Sequence, residues 1–128
     1  MPRLLAVLAL TALLGACAVP ANVGIRAADG ATIVLSPGQT ARLANGGALR
    51  YVRVGNDSRC PPNVQCVWAG NAVIALNWVP GSGASRDLQL HFNAAAGPNH
   101  ADLNGSRVAF TALSRQGAQA SLLVTPAP

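Results

Sequence analysis

From residue 31 onward, short apolar runs are punctuated by Gly, Pro, Asn and Ser, and no segment holds a 3.6-residue apolar stripe for three turns. That texture predicts strands. "ATIVL" (31–35) runs into the turn "SPGQ", "TARLA" (40–44) into "NGG", and "ALRYVRV" (48–54) into a cysteine-bearing loop. Asn45-Gly46 is a hairpin signal, because Gly supplies the positive φ that tight hairpin turns need. "NAVIALNWV" (71–79) then passes through "PGSGAS" to "RDLQLHF" (86–92). In that last run Leu88, Leu90 and Phe92 alternate with Asp87, Gln89 and His91, which predicts a hairpin with His91 facing outward. After a polar loop over 93–105, "SRVAFTAL" (106–113) and "ASLLVT" (120–125) flank "SRQGAQ" and predict a final hairpin. Seven strands of this length at regular spacing predict a single all-β domain, an antiparallel β-sandwich or small barrel.

The apolar excess is uneven, and much of it lies in the first eighteen residues, "MPRLLAVLALTALLGACA". Arg3 supplies a positive start, residues 4–14 an apolar stretch of secretory-signal length, and small residues follow. The stretch is short for a permanent bilayer span. A buried N-terminal core helix is the plainer alternative, but it would need a polar face that is not visible here. "LGAC" (14–17) resembles the lipobox of bacterial lipoproteins, which implies a diacylglycerol on the Cys17 thiol, removal of residues 1–16 and acylation of the new amino group. Each buried methylene contributes about 0.8 kcal/mol, so two or three chains hold a protein stably where one is marginal. Residues 17–30 then comprise the lipidated cysteine, a short tether and the start of the domain, and 31–128 the β-sandwich. Ala18 stands where inner-membrane lipoproteins often carry aspartate, so the resemblance points to the outer membrane, facing the periplasm. Ordinary secretion, with cleavage elsewhere and Cys17 incidental, is the alternative.

With Cys17 lipidated, two of the three cysteines remain in an oxidising compartment, so Cys60 and Cys66 are expected to form a disulfide. Pro61-Pro62 and Asn63 favour a chain that turns back between them. Half of a zinc site is the competing reading, but His91 and His100 lack paired ligand spacing. A redox pair is another, but it wants two intervening residues and a βαβ context. Trp68 is expected to cover the bridge and insert into the core. Asp57 is expected to accept backbone N–H bonds in an Asx-turn, and Arg59 to pair with an acid or with carbonyls.

The run "DSRCPPNVQCVWAGNA" (57–72), together with the lipobox, resembles small bacterial lipoproteins that carry Asp-Ser-Arg-Cys-Pro, a spacer, then Cys, an apolar residue and Trp-Ala-Gly. The shared positions are Asp57, Arg59, Cys60, Cys66, Trp68 and Gly70. The resemblance implies an all-β domain with the bridged loop between two strands. It carries no activity, cofactor or partner.

At 128 residues, 51% hydrophobic and 10% charged, the chain has room for one core. Every basic residue is arginine and every acid aspartate. Asp29, Asp57, Asp87 and Asp102 fall in separate segments, mostly in turns or facing solvent, so no carboxylate pair for glycoside hydrolysis is legible. "GSG" (81–83) lacks the flanks of a nucleophile elbow. A catalytic role, a cofactor and a dedicated metal site are therefore not expected. Weak transition-metal binding through His91 and His100 is kept as an alternative. Without Arg3, eight arginines stand against four aspartates, a balance of +4, and Arg42, Arg50 and Arg53 fall on one predicted hairpin. A basic face can touch anionic lipid, lipopolysaccharide or wall polymer, although a solvated surface is the plainer reading. Nucleic acid is not an expected partner of an exported chain with few aromatic residues.

These readings converge on a non-catalytic binding or structural module. It is held to the bacterial envelope by its N-terminal lipid, with an envelope protein or an anionic wall polymer as candidate partners. The alternative from another class is an inhibitor or accessory subunit of an envelope enzyme, with loop 60–66 as a rigid plug.

Overall fold

The computed structural model describes residues 24–128; Cys17, the expected signal segment and most of the expected tether lie outside the described residues. Nine strands run in chain order: β1 (Ile25–Ala27), β2 (Thr32–Leu35), β3 (Thr40–Leu43), β4 (Ala48–Asp57), β5 (Ala72–Val79), β6 (Arg86–His91), β7 (His100–Leu103), β8 (Ser106–Leu113) and β9 (Ala120–Pro126). They form a five-stranded sheet, ordered β1-β3-β4-β5-β6, and a four-stranded sheet, ordered β2-β9-β8-β7. All pairings are antiparallel except β1 with β3. The all-β sandwich follows from the alternation: β2, β3 and β5 each bury every second residue, and those residues meet between the sheets.

The core is built from both inner faces, with Leu49, Tyr51, Ile74, Leu76, Trp78 and Leu90 from the first sheet. Leu35, Leu103, Val108, Phe110, Leu122 and Val124 come from the second. Tyr51 is wholly enclosed, yet its hydroxyl donates to the Ala118 carbonyl at 2.8 Å, so a core phenol is satisfied by the β8–β9 turn. Burial pushes its pKa up. Trp78 packs against Gly47, where any Cβ would overlap the indole ring. The Asn45-Gly46 signal marks a true hairpin turn between β3 and β4, with Gly46 at φ 85°. Asn45 also reaches across the sandwich, its Nδ2 donating to the Leu103 carbonyl at 2.6 Å.

Three departures from the expected strands have physical causes. Strand β7 forms inside the expected polar loop; it offers one fully buried apolar side chain, Leu103, too little to register as alternation, and is held by its ladder to β8. Strand β1, three residues long, pairs in parallel with β3, a contact that no local pattern announces. Strands β2 and β3 are consecutive but belong to different sheets. The turn between them carries the chain across the sandwich, with Gly38 N donating to the Tyr51 carbonyl and Tyr51 N to that of Gln39. Phe92 is the fourth difference: it falls just beyond β6, exposed, with its ring edge-to-face to Phe110 at 5.9 Å.

Candidate functional site

The segment between β4 and β5 is the most constrained loop in the domain. At its neck Ser58 N donates to the Asn71 carbonyl at 2.7 Å and Asn71 N to Ser58 Oγ at 3.2 Å, one step beyond the last sheet rung, Asp57 to Ala72. Cys60 and Cys66 are joined in a disulfide with Cα atoms 5.9 Å apart. Inside that ring Val64 N donates to the Pro61 carbonyl, and Asn63 takes the left-handed backbone (φ 64°) that asparagine tolerates better than most residues. Gly70 lies against the incoming chain so closely that a Cβ there would overlap the Ser58 carbonyl and Arg59 Cα. Glycine is required by that approach.

Two arginines tie the loop to the rest of the molecule. Arg59 grips Asp57 in a two-pronged pair, Nε to Oδ1 at 2.8 Å and Nη2 to Oδ2 at 2.7 Å, while its backbone N–H donates to Oδ1 at 3.2 Å. The remaining prong, Nη1, donates to the Leu113 carbonyl at the end of β8, so one guanidinium joins the loop to the second sheet. Arg115, from the β8–β9 turn, donates to the Cys60 carbonyl at 2.6 Å. Sequence reading reached Asp57 and Arg59 because they are neighbours. It missed Leu113, Arg115 and Asn71, whose roles depend on which strand ends the topology brings together.

The Arg59 guanidinium holds the Asp57 carboxyl below its ordinary range, first by side-chain hydrogen bonding, then through the backbone bond and the charges of Arg59 and Arg115. A depressed carboxyl stabilises the fold above its unfolded pKa, and that contribution is lost as pH falls through the folded value. Thermal melts between pH 7 and 2 should therefore show wild type losing stability below about pH 3.8. Asp57→Asn should lose less over that window. Equal acid slopes in the two proteins would show that the clamp contributes nothing.

The large apolar side chains of the loop, Val64, Val67 and Trp68, face solvent. Trp68 does not enter the core: it is 65% exposed, with Val67 at 95% and Val64 at 56%. The correction has a plain cause. The neck bonds and the bridge hold the loop beyond the strand ends, and the core indole position is already taken by Trp78, which is 2% exposed. The result is a rigid platform displaying a tryptophan, two valines and Pro61-Pro62.

His91 ends β6 in one sheet and His100 opens β7 in the other, and each ring bonds its own partner. His91 is half-buried rather than outward: Asn71 Nδ2 donates to its Nδ1 at 2.9 Å, and the ring lies tight against Gly97. Asn71 Oδ1 also accepts from Asn93 N, so His91 belongs to the brace behind the loop neck. His100 Nδ1 bonds Asn99 Oδ1 at 2.9 Å. Among the described residues no three His, Cys, Asp or Glu side chains converge in a metal-binding group. Asp102 is engaged by Arg107, at 2.7 and 3.0 Å, and Asp87 accepts from Asn77 at 2.8 Å.

The fold and loop thus define a two-sheet β-sandwich with a stapled, aromatic-tipped loop at one end. No protein-family model, curated protein or solved structure matches the chain.

Proposed function

We propose that this chain is a lipid-anchored, non-catalytic binding module of the bacterial envelope, and that the stapled loop is its contact element for a protein partner. The observation that carries the reading is the pairing of rigidity with exposure. A loop fixed by a disulfide, a two-pronged ion pair and two arginine-to-carbonyl bonds presents Val67 and Trp68 to solvent. Tryptophan is enriched among residues that dominate binding energy, and a loop already ordered before contact loses little entropy on association. The same rigidity favours the narrower form of the reading, in which the loop enters a cleft of an envelope enzyme as an inhibitor or accessory subunit. The anchor is supported by the signal-like segment and by "LGAC" ending at Cys17. The non-catalytic assignment is supported by the engagement of Asp57, Asp87, Asp102 and His91 in structural bonds.

The test places a photoreactive residue at Val67 of the full chain in its native envelope. A single stoichiometric protein adduct, abolished by Trp68→Ala, is the expected result, and an intact mass from the same preparation should begin at Cys17 with lipid attached. Scattered adducts to wall or lipid, unaffected by Trp68→Ala, would reduce the protein to a structural module. A lipid-free mass would remove the anchor.

A further inference from the structure

The outer face of the first sheet gathers four arginines against one acid, Asp87 on β6, which accepts from Asn77 and forms an ion pair with none of them. Arg26 on β1 and Arg42 on β3 are direct register partners in the parallel pair, so their Cα atoms lie about 4.8 Å apart across the ladder. On β4, Arg50 is paired with Thr40 and Arg53 with Ala75, a residue whose β5 neighbours Ile74 and Leu76 face the core. Positions 50 and 53 are an odd number apart and would face opposite ways in a regular strand. The bulge between Tyr51 and Arg53 adds one residue and turns Arg53 onto the same face as Arg50.

The distribution of charge over the molecule is uneven. Arg59 and Arg107 are paired with aspartates, and Arg86 and Arg115 donate to the carbonyls of Asp102 and Cys60. Arg26, Arg42, Arg50 and Arg53 are the other four arginines among the described residues; none of them is in an ion pair, and Arg53 reaches only the carbonyl of its neighbour Val54, at 3.4 Å. Two open grooves flank the Arg26–Arg42 pair, one reaching Ala28 and Gly46, the other Gly24 and Thr40. The opposite outer face carries Arg107 neutralised by Asp102. Like charges directly opposite one another on neighbouring strands are unfavourable, and an anion lying across them removes that cost.

We propose that this face docks onto the anionic phosphate headgroups of the membrane in which the protein is anchored. The choice of occupant rests on the lipid-anchor reading and on chain continuity. Arg26 is nine residues after Cys17, a reach of at most about 30 Å, so the lipid holds the β1 edge of this face close to the bilayer. Four guanidiniums spread over three adjacent strands match a plane of phosphates, with which arginine forms two-pronged bonds. Each basic residue close to an anionic surface multiplies binding about fivefold at physiological salt, over a range set by a Debye length of about 8 Å.

The experiment uses the full chain in vesicles of phosphatidylcholine, alone or with about one third phosphatidylglycerol as the charged component, a composition chosen to give a strong surface potential. A fluorophore on Thr40→Cys reports proximity to nitroxide-labelled headgroups. Quenching is expected to rise severalfold with phosphatidylglycerol and to return to the phosphatidylcholine level in high salt. It should also be lost in Arg26→Gln/Arg42→Gln/Arg50→Gln/Arg53→Gln, whose melting temperature should equal or exceed that of wild type. Equal quenching in both vesicles would overturn the proposal. So would a response to added polyphosphate without one to phosphatidylglycerol, which would reassign the face to a soluble polyanion. Should the chain fail to float with phosphatidylcholine vesicles, the anchor reading fails alone. Flotation with the charged vesicles, dependent on the four arginines, then decides whether the face binds membrane phosphates: its presence supports the proposal and its absence overturns it.

Discussion

Trp78→Ala should unfold this domain most readily, while Trp68→Ala should leave its melting temperature almost unchanged. Trp78 is the penultimate residue of β5, enclosed between the sheets and capped by Gly47. Truncating a buried tryptophan removes its transfer free energy and leaves a cavity that the close-fitting neighbours cannot fill, at about 3 to 5 kcal/mol. With total stability about 5 to 15 kcal/mol, that takes the domain near the limit of folding at growth temperature. For a domain of this size it corresponds to a melting temperature lower by more than about 12 °C. Trp68 is a loop residue with most of its ring in water, and its loss should fall within about 0.5 kcal/mol. Differential scanning calorimetry of both variants decides the matter. Equal destabilisation would mean that Trp68 is covered in the folded protein and that the exposed loop surface does not exist.

The second large effect is expected from removing the bridge. Cys60→Ser/Cys66→Ser opens a ring of seven residues, and the chain-entropy model assigns such a closure roughly 2 to 2.5 kcal/mol. The double variant is preferred to Cys60→Ser, which would leave Cys66 free to pair between molecules. A second consequence distinguishes the bridge from a generic stabiliser. With the ring open, the segment from Pro61 to Val67 must be ordered when a partner binds, so capture at position 67 should weaken by more than the fraction unfolded accounts for. An unchanged melting temperature would refute the staple. Normal capture by the folded variant would show that the two arginines alone fix the loop.

The strands that alternate cleanly were legible. Strands β5, β8 and β9 have the longest runs of one-in, one-out residues, and each expected strand differs from that observed by at most one residue. The β5–β6 hairpin and the Asn45-Gly46 turn were equally readable, because the turn chemistry and the alternation agree there. What stayed hidden depends on tertiary placement. Strand β7 lives on its pairing with β8, and β1 on a parallel ladder of three residues to β3. At the loop, the local Asp57–Arg59 pair was within reach of reading neighbours, whereas Leu113 and Arg115 approach from the far end of the chain. The placement of Trp68 in the core was the decisive misreading. Trp78 continues the alternation of Ala72, Ile74 and Leu76, whereas Trp68 follows Val67 outside any strand, and its display to solvent depends on the neck bonds that close the loop at Ser58 and Asn71. The fourth arginine of the basic face was hidden for the same reason, since Arg26 joins it only through β1.

The order of strands in the first sheet has a mechanical meaning. The N-terminal tether enters at β1 and the stapled loop leaves between β4 and β5, and all of these strands belong to one sheet, β1-β3-β4-β5-β6. Were the proposed anchor and a partner gripping the loop to pull against each other, part of the load would travel across hydrogen-bonded rungs from β1 through β3 to β4, and part through β2 and the arginine ties into the second sheet. Along that line the β1–β3 and β3–β4 ladders have three rungs each, against eight in the β4–β5 ladder. The two short ladders on the N-terminal side are the weaker junctions, and their opening would leave the loop, its bridge and its Asp57–Arg59 pair assembled.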